Sequence, residues 1–289
     1  MYSSMRDALK ASEERNLPLW KVFQLEDCHE EGMEEEVSFA HMKKLITAMQ
    51  ETDRNYDPDL HSASGLVGGE AALLKQRKDS GAMICGNFIA TVMEKALKTA
   101  AGNACMKRIV AAPTAGSCGV LPAVLLTYQE QYLVSDDALT EALYTAAGIG
   151  GVIARRASLS GAAGGCQAEI GSASAMAAGA LVYLLGGNNE QVCNASALAL
   201  KGLLGLACDP VAGLVEVPCV KRNVIGAVNA VTSAEMAMAG IASRVPADQV
   251  FDAMGSIGRH MPEDIRETAK GGLAACPEAL RIAEKMKKL

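Results

Sequence analysis

The sequence predicts a mainly α-helical protein with a single globular domain. Half of the 289 residues are apolar, but only four are Phe and one is Trp. Most of the apolar residues are Ala, Leu, Val, Met and Gly, which suit closely approaching helices better than the interior of a β-sandwich. A chain of this length is long enough to bury a sizeable core.

The spacing of apolar residues predicts the helices in order. Amphipathic helices are predicted over residues 5–16 and 31–50, since Phe39, Met42 and Ile46 recur at helical spacing in the second. Further helices are predicted over 70–78, 82–101, 118–133, 136–156, 167–186, 189–206, 222–243, 246–258, 262–270 and 277–288. Because the composition changes near residue 53 from charged to small and apolar, we predict an N-terminal helical extension over 1–52. A single catalytic domain then covers 53–289.

Residues 170–189 carry no charged side chain. Their length would suit a membrane span, but they consist largely of Gly, Ala and Ser, which contribute little insertion energy. We therefore predict a buried core helix and no membrane association. Gly171, Ala175 and Gly179 recur every four residues, which predicts a smooth helix face against which another helix can lie closely.

Charge and cysteine content exclude several classes of protein. The net charge is −6, and the chain has no long basic run, so we expect no nucleic-acid partner. The N-terminal stretch lacks the features of a secretory signal, which predicts a cytoplasmic protein. The nine cysteines are odd in number and scattered, so a disulfide framework is not expected.

Three loops rich in glycine and small residues each lead into a helix: SASGLVGGE (62–70), APTAGSCGVLP (112–122) and SLSGAAGGCQAEIG (158–171). Backbone N–H groups at such positions can bind a carboxylate. Any one of these loops is better explained by tight turns and close packing, but three together favour a small anionic ligand. The predicted binding residues are Ser62, Ser64, Gly65, Gly68, Thr114, Ala115, Gly116, Ser117 and Gly119.

Cys166, Cys208 and Cys219 lie in irregular stretches of small residues. Gly164 and Gly165 would leave room beside Cys166 for something other than side chains. Three thiolates would suit an iron–sulfur cluster in which one iron has no protein ligand and can act as a Lewis acid. The spacing alone favours three unrelated free cysteines, since there is no close C-x-x-C pair. A structural zinc site is disfavoured, since no cysteine pair has finger-like spacing and no histidine falls in a zinc pattern.

Taken together, the motifs SGLVGGEAALL, IVAAPTAGSCGVLPAVL, GGCQAEIGSASAMAAGAL and CDPVAGLVEVPCVKRN make the chain similar to the α subunit of the iron–sulfur-dependent L-serine dehydratases. The resemblance covers almost the whole length. It implies a [4Fe–4S] cluster held by Cys166, Cys208 and Cys219, with L-serine bound to the open iron through its hydroxyl. No pyridoxal phosphate is implied, and no lysine lies in a recognisable Schiff-base setting.

The resemblance also implies a reaction. A base removes the Cα proton, the hydroxyl leaves, and the aminoacrylate product becomes pyruvate and ammonia. The predicted catalytic residues are His61, beside the first loop, and Lys221, beside a cluster cysteine. His260, Arg222 and Glu169 are further candidates, and each of these side chains could instead have only a structural role.

In the resembling enzymes a β portion with its own motif accompanies the α portion, and nothing in this chain corresponds to it. We therefore expect a separate β subunit and an oligomeric enzyme. Two alternative functions stay open. One is a cysteine desulfidase that would use similar loops to expel hydrosulfide, and the other is a non-catalytic iron–sulfur or ligand-sensing protein.

Overall fold

The computed structural model describes residues 2–287 and is mainly α-helical, as predicted. Its helices are α1 Met5–Arg15, α2 Leu19–Glu31, α3 Glu35–Arg54, α4 Glu70–Asp79, α5 Gly86–Ala104, α6 Val120–Tyr132, α7 Asp136–Arg156, α8 Gly161–Gly164, α9 Ser172–Leu184, α10 Asn189–Lys201, α11 Cys219–Met238, α12 Ala247–His260 and α13 Pro277–Met286. Residues 2–287 contain no β-strand, and strand-like pairing there is limited to two isolated bridges, His61 with Gly68 and Cys208 with Arg266.

Short helical turns occur in the segments between these helices. A π-helical turn, Gln167–Gly171, leads directly into α9. Four 3₁₀ turns cover Ala115–Ser117, Val211–Gly213, Glu263–Ile265 and Gly272–Ala275. The first two of these 3₁₀ turns and the π turn lie in the stretches that the sequence marks as functional.

Helix α9 lies at the centre of the core and packs against α6, α7, α10 and α11. Every residue from Ser172 to Val182 is buried. At Gly179, an added Cβ would lie 2.3 Å from Ile149 Cδ1 of α7 and 2.8 Å from Ser196 Oγ of α10. The small residues of α9 thus allow both neighbours to approach its backbone. Within the described residues, no helix is both long and apolar enough to cross a membrane.

The close approach at Gly179 gives a stability prediction. Gly179→Ala is expected to lower the free energy of unfolding by about 1–3 kcal/mol, because the new methyl would overlap the Ile149 side chain in a filled core. The matched control is Gly102→Ala in α5, where the nearest atom to an added Cβ is 3.9 Å away. This control should be neutral or more stable by up to about 1 kcal/mol. Urea denaturation measures both, and equal stabilities would contradict the packing described for α9.

The first three helices share their core with the rest of the chain. Met5, Phe23 and Ile46 belong to the same buried cluster as Ile149 of α7. Helix α7 packs against both α2 and α3. The division predicted at residue 52 stays a prediction of domain organisation, but the apolar faces of α1–α3 are buried against the remaining helices.

Two predicted segments differ from the structure. Residues 19–31, for which no helix is predicted, form α2, which begins after Pro18 and ends at Gly32 with φ +62°. The helix predicted over 262–270 is wrong, because only Glu263–Ile265 forms a 3₁₀ turn. After this turn the backbone is held by contacts with a distant loop, described below, rather than by its own helical hydrogen bonds.

Candidate functional site

Three cysteines from distant parts of the chain are buried. Cys166 comes directly before the π-helical turn, Cys208 follows α10 in an irregular segment, and Cys219 is the first residue of α11. Their exposed fractions are 2%, 3% and 8%. The fold therefore removes all three thiols from solvent, although Cys208 is in an irregular segment.

The three thiols lie close enough to influence one another. Burial raises the pKa of Cys166 to about 11 and that of Cys219 to about 12, and it also raises the pKa of Cys208. For Cys208 and Cys219 the next cause is the charge of a Cys166 thiolate. The fold thus gathers the three sulfurs in one region of low polarity, where thiolates would need positive charge to compensate them.

The spacing of these groups does not suit a single metal ion. Among the described residues, no three His, Cys, Asp or Glu side chains are arranged to hold one ion. Thiolate sulfurs are the donors that iron–sulfur clusters use, and the protein ligands of a cluster bind different irons. In chemical type, three thiolates suit an iron–sulfur group.

Glycines make room around one of the sulfurs and two carboxylates. A Cβ added at Gly161 would lie 3.0 Å from Cys208 Sγ, 2.9 Å from Glu169 Oε2 and 3.1 Å from Glu267 Oε2. A Cβ added at Gly116 would lie 3.0 Å from Glu169 Oε1. Larger side chains at either glycine would therefore crowd the sulfur or the carboxylates.

Glu169 is a half-buried carboxylate that has no cationic partner among residues 2–287. It lies in the π-helical turn, and its Oε1 accepts a 2.7 Å hydrogen bond from Thr114 Oγ1. Burial raises the pKa of Glu169, and the charge of Glu267 adds to this effect. No Lys, Arg or His of the described residues forms an ion pair with it, and its Oε2 accepts no hydrogen bond from those residues. π-helical turns, such as the one that carries Glu169, often occur at functional sites.

The segment after α12 closes over Cys208. The Cys208 N–H donates to the Ile265 carbonyl at 2.9 Å, and the Glu267 N–H donates to the Cys208 carbonyl at 2.7 Å. Glu267 has a φ of +62°, a left-handed conformation that is uncommon for a residue other than glycine. These contacts explain why residues 266–270 are not helical, and they bring the Glu267 carboxylate to the cysteines.

Arg222 is the cation that acts on the cysteines. The charge of Arg222 lowers the pKa of Cys166, against the larger effect of burial, which raises it. Its Nη1 donates to the Ala207 carbonyl at 2.7 Å, and its Nη2 donates to Asp209 Oδ1 at 2.9 Å. Asp209 Oδ2 in turn accepts the Leu273 N–H at 2.9 Å.

Asn223 joins the second predicted loop to the third cysteine. Its Nδ2 donates to the Gly116 carbonyl at 2.8 Å and to the Cys219 carbonyl at 2.9 Å. Its Oδ1 accepts the Gly119 N–H at 2.8 Å, so this N–H is not available to a ligand. Gly119 is also needed for close packing, because an added Cβ would lie 2.6 Å from the Ala96 carbonyl oxygen.

The start of the second loop presents free donors. Thr114 precedes the 3₁₀ turn, and Ser117 Oγ lies 3.0 Å from Thr114 Oγ1. The N–H groups of Ala115 and Gly116 begin this turn and have no acceptor among residues 2–287. Two adjacent N–H groups next to the Glu169 carboxyl are suited to bind a small anion.

Comparison with known proteins identifies the family. The model of the serine dehydratase alpha chain family matches residues 14–274. This chain belongs to that family. A "Probable L-serine dehydratase, alpha chain" of Bacillus subtilis is 43% identical over 99% of this chain and 95% of that protein. The "L-serine dehydratase, alpha chain" of Peptoniphilus asaccharolyticus is 40% identical over 98% and 97%. "L-serine dehydratase 1" of Escherichia coli is 46% identical, but over 65% of this chain and 42% of that protein.

In this member of the serine dehydratase alpha chain family, the first predicted loop is held in place by the carboxylate of Glu216. Ser62 Oγ donates to Glu216 Oε2 at 2.9 Å, and Ser64 Oγ donates to the same oxygen. The two hydroxyls also accept the N–H groups of Val67 and Leu66. Because each hydroxyl has one proton and donates it to Glu216, the geometry disfavours Ser62 and Ser64 as ligands of a substrate carboxylate.

The glycines of this loop serve its conformation. Gly65 has a φ of +73°, and its N–H donates to the Ser62 carbonyl. A Cβ at Gly68 would lie 2.5 Å from the His61 ring, and the Gly68 N–H donates to Glu70. Local structure thus explains why both positions are glycine. A role in substrate binding is not needed to explain either residue.

The predicted catalytic side chains His61 and Lys221 lie on the surface. His61 Nδ1 is 3.0 Å from the Asp59 carbonyl oxygen, and Lys221 forms an ion pair with Glu70. The second histidine candidate, His260, is also exposed, with Nδ1 2.8 Å from the Ser256 carbonyl oxygen. None of the three has a hydrogen bond or ion pair to the cysteines or Glu169 within the described residues, so the geometry disfavours them as the base.

Sequence reasoning missed four residues of this site: Asp209, Glu216, Asn223 and Glu267. Two of them had a signal, because Asp209 follows Cys208 directly and Asn223 lies one helical turn after Cys219. Glu216 and Glu267 had none. Their roles depend on contacts with a distant loop, which a single sequence does not reveal.

Proposed function

We propose that this chain is the α subunit of an L-serine ammonia-lyase, which converts L-serine to pyruvate and ammonia. Relatives that match nearly its full length are named L-serine dehydratase alpha chain. The observation that carries the proposal is the burial of three mutually interacting cysteines beside Glu169, a half-buried carboxylate that has no cationic partner among the described residues. This combination suits a reaction that needs both an electrophile and a base.

Cys166, Cys208 and Cys219 would hold a [4Fe–4S] cluster. The three sulfurs fit this group in chemical type, each interacts by charge with another, and the glycine at position 161 leaves space beside Cys208. Three protein ligands leave one of four irons open. When bound, the cluster would supply a Lewis acid for the substrate hydroxyl.

The free N–H groups of Ala115 and Gly116 are the proposed site of the substrate carboxylate. They have no protein acceptor in residues 2–287, and Gly116 lies next to Glu169. Loss of the Cα proton places negative charge beside the carboxylate, and donors already in place lower the energy of that state. This assignment replaces Ser62 and Ser64, whose hydroxyls are bonded to Glu216.

Glu169 is the proposed base. Its Oε1 is fixed by Thr114, which leaves Oε2 free on the side of Gly161 and Cys208. Glu169 Oε2 accepts the Cα proton, the Cβ–O bond breaks, and the same proton is returned to the leaving hydroxyl to form water. The aminoacrylate released from the site tautomerises and is hydrolysed to pyruvate and ammonia.

A separate β subunit is proposed to complete the active site. The match to the E. coli relative covers 42% of that protein, so more than half of it has no counterpart in the matched part of this chain. The two relatives of similar length are both named as alpha chains. An oligomer of α and β subunits, without pyridoxal phosphate, follows from this proposal.

The experiment is anaerobic reconstitution with iron and sulfide, followed by a pyruvate assay. The chain alone should turn over L-serine slowly, and the β chain of the same organism should raise kcat by on the order of 100-fold, as expected when missing groups are put in place. Full turnover by the chain alone would contradict the need for a β subunit. Faster release of hydrosulfide from L-cysteine than of ammonia from L-serine would contradict the substrate.

A further inference from the structure

Arg222 joins the segments of Cys208 and Cys219, and its charge acts on Cys166. It lies on α11, three residues after Cys219. Its guanidinium interacts with the Cys166 sulfur, and it donates to the Ala207 carbonyl and to Asp209, the two residues that flank Cys208. One side chain thus links three segments that are far apart in the sequence.

The position of the guanidinium is itself fixed. Asp209 is buried, with 5% of its surface exposed, and it holds Arg222 through Oδ1 while Oδ2 accepts the Leu273 N–H. A planar guanidinium can donate in several fixed directions at once, which the single ammonium group of lysine cannot reproduce. The two hydrogen bonds to Ala207 and Asp209 use this property.

Charge gives Arg222 a further role. Thiolates are the form of cysteine that binds iron, and three thiolates in a buried region repel one another. The carboxylates of Glu169 and Glu267 increase this negative charge. Arg222 is the cation that interacts with Cys166 and lies on the element that begins at Cys219.

We propose that Arg222, oriented by Asp209, is the positioning residue that holds the three cysteine segments around the cluster and retains the cluster. The inference rests on the proposed function, because it assumes that the three sulfurs bind iron. Outer hydrogen bonds of this kind typically change metal affinity by about 10–100-fold when they are removed.

The test measures retention of the cluster rather than activity. Wild type, Arg222→Lys, Arg222→Gln and Asp209→Asn are reconstituted anaerobically, and the loss of visible absorption is followed after addition of an iron chelator. Gly179→Ala serves as a control that lowers overall stability away from the site. Arg155→Gln serves as a control for loss of an exposed arginine, since Arg155 pairs with Glu30 on the surface.

Arg222→Gln is expected to lose its cluster about 10–100-fold faster than wild type. Arg222→Lys and Asp209→Asn should lose the cluster at rates between those of wild type and Arg222→Gln. Both controls should lose it at the wild-type rate. Equal rates in Arg222→Gln and wild type would overturn the inference, as would an equal acceleration in Gly179→Ala, which would indicate a general effect of stability. A wild-type chain that takes up no iron would instead contradict the proposed function, and the inference would fail with it.

Discussion

Cys208→Ser is expected to abolish both cluster binding and pyruvate formation. Cys208 is buried between Gly161 and the segment that carries Glu267, and its sulfur interacts with both of the other cysteines. Removal of one of the three ligands should weaken cluster binding by more than the roughly 10–100-fold that follows loss of a residue hydrogen-bonded to a ligand. Iron content per chain and the pyruvate assay measure the two effects.

Cys193→Ser is the matched control for this substitution. Cys193 lies in α10, outside the three cysteine segments, and it is also a free thiol. This variant should keep its iron content and activity. Thermal denaturation of both proteins without iron separates loss of the ligand from loss of the fold. Normal iron content in Cys208→Ser, or an equal loss in Cys193→Ser, would exclude Cys208 as a ligand.

Glu169→Gln is expected to lower kcat by about 10²–10⁴-fold, the usual contribution of general acid–base catalysis, while the visible spectrum of the cluster is retained. Glutamine has nearly the same shape and can still accept the hydrogen bond from Thr114, but it cannot take up the Cα proton. Steady-state kinetics with the reconstituted enzyme, together with its spectrum, measures the effect.

Glu267→Gln is the comparison variant for the base. Its carboxylate approaches the same point near Gly161, but Glu267 is exposed and its role is assigned to the charge of the site. Its effect on kcat should be smaller than that of Glu169→Gln. A nearly normal kcat in Glu169→Gln and a large loss in Glu267→Gln would assign the base to Glu267 instead.

The helices could be predicted from the sequence where their apolar period is long, as in α7. Helix α2 was harder to predict, because its apolar pattern is short and is bounded by Pro18 and by charged residues near its end. The segment 262–270 has helix-forming residues, but the backbone bonds between Cys208, Ile265 and Glu267 override this preference. Such long-range contacts cannot be read from the local composition.

The candidate site could be predicted only in part, because several of its contacts also join distant segments of the chain. Cys166 and Glu169 lie in one glycine-rich motif, so both were visible in the sequence. The pairing of Ser62 and Ser64 with Glu216 was not visible, and it changes the role that their hydroxyls can have. Arg222 was visible as a charged residue near Cys219, but its contact with Cys166 depends on the fold.

The most direct measurement of the central claim is the iron and sulfide content of the wild-type chain after anaerobic reconstitution. Three cysteines around one cluster with an open iron predict about four irons and four sulfides per chain. The same count should fall close to zero in Cys166→Ser, Cys208→Ser and Cys219→Ser. Wild-type protein with less than about one iron per chain, or single variants that keep the wild-type count, would contradict the account.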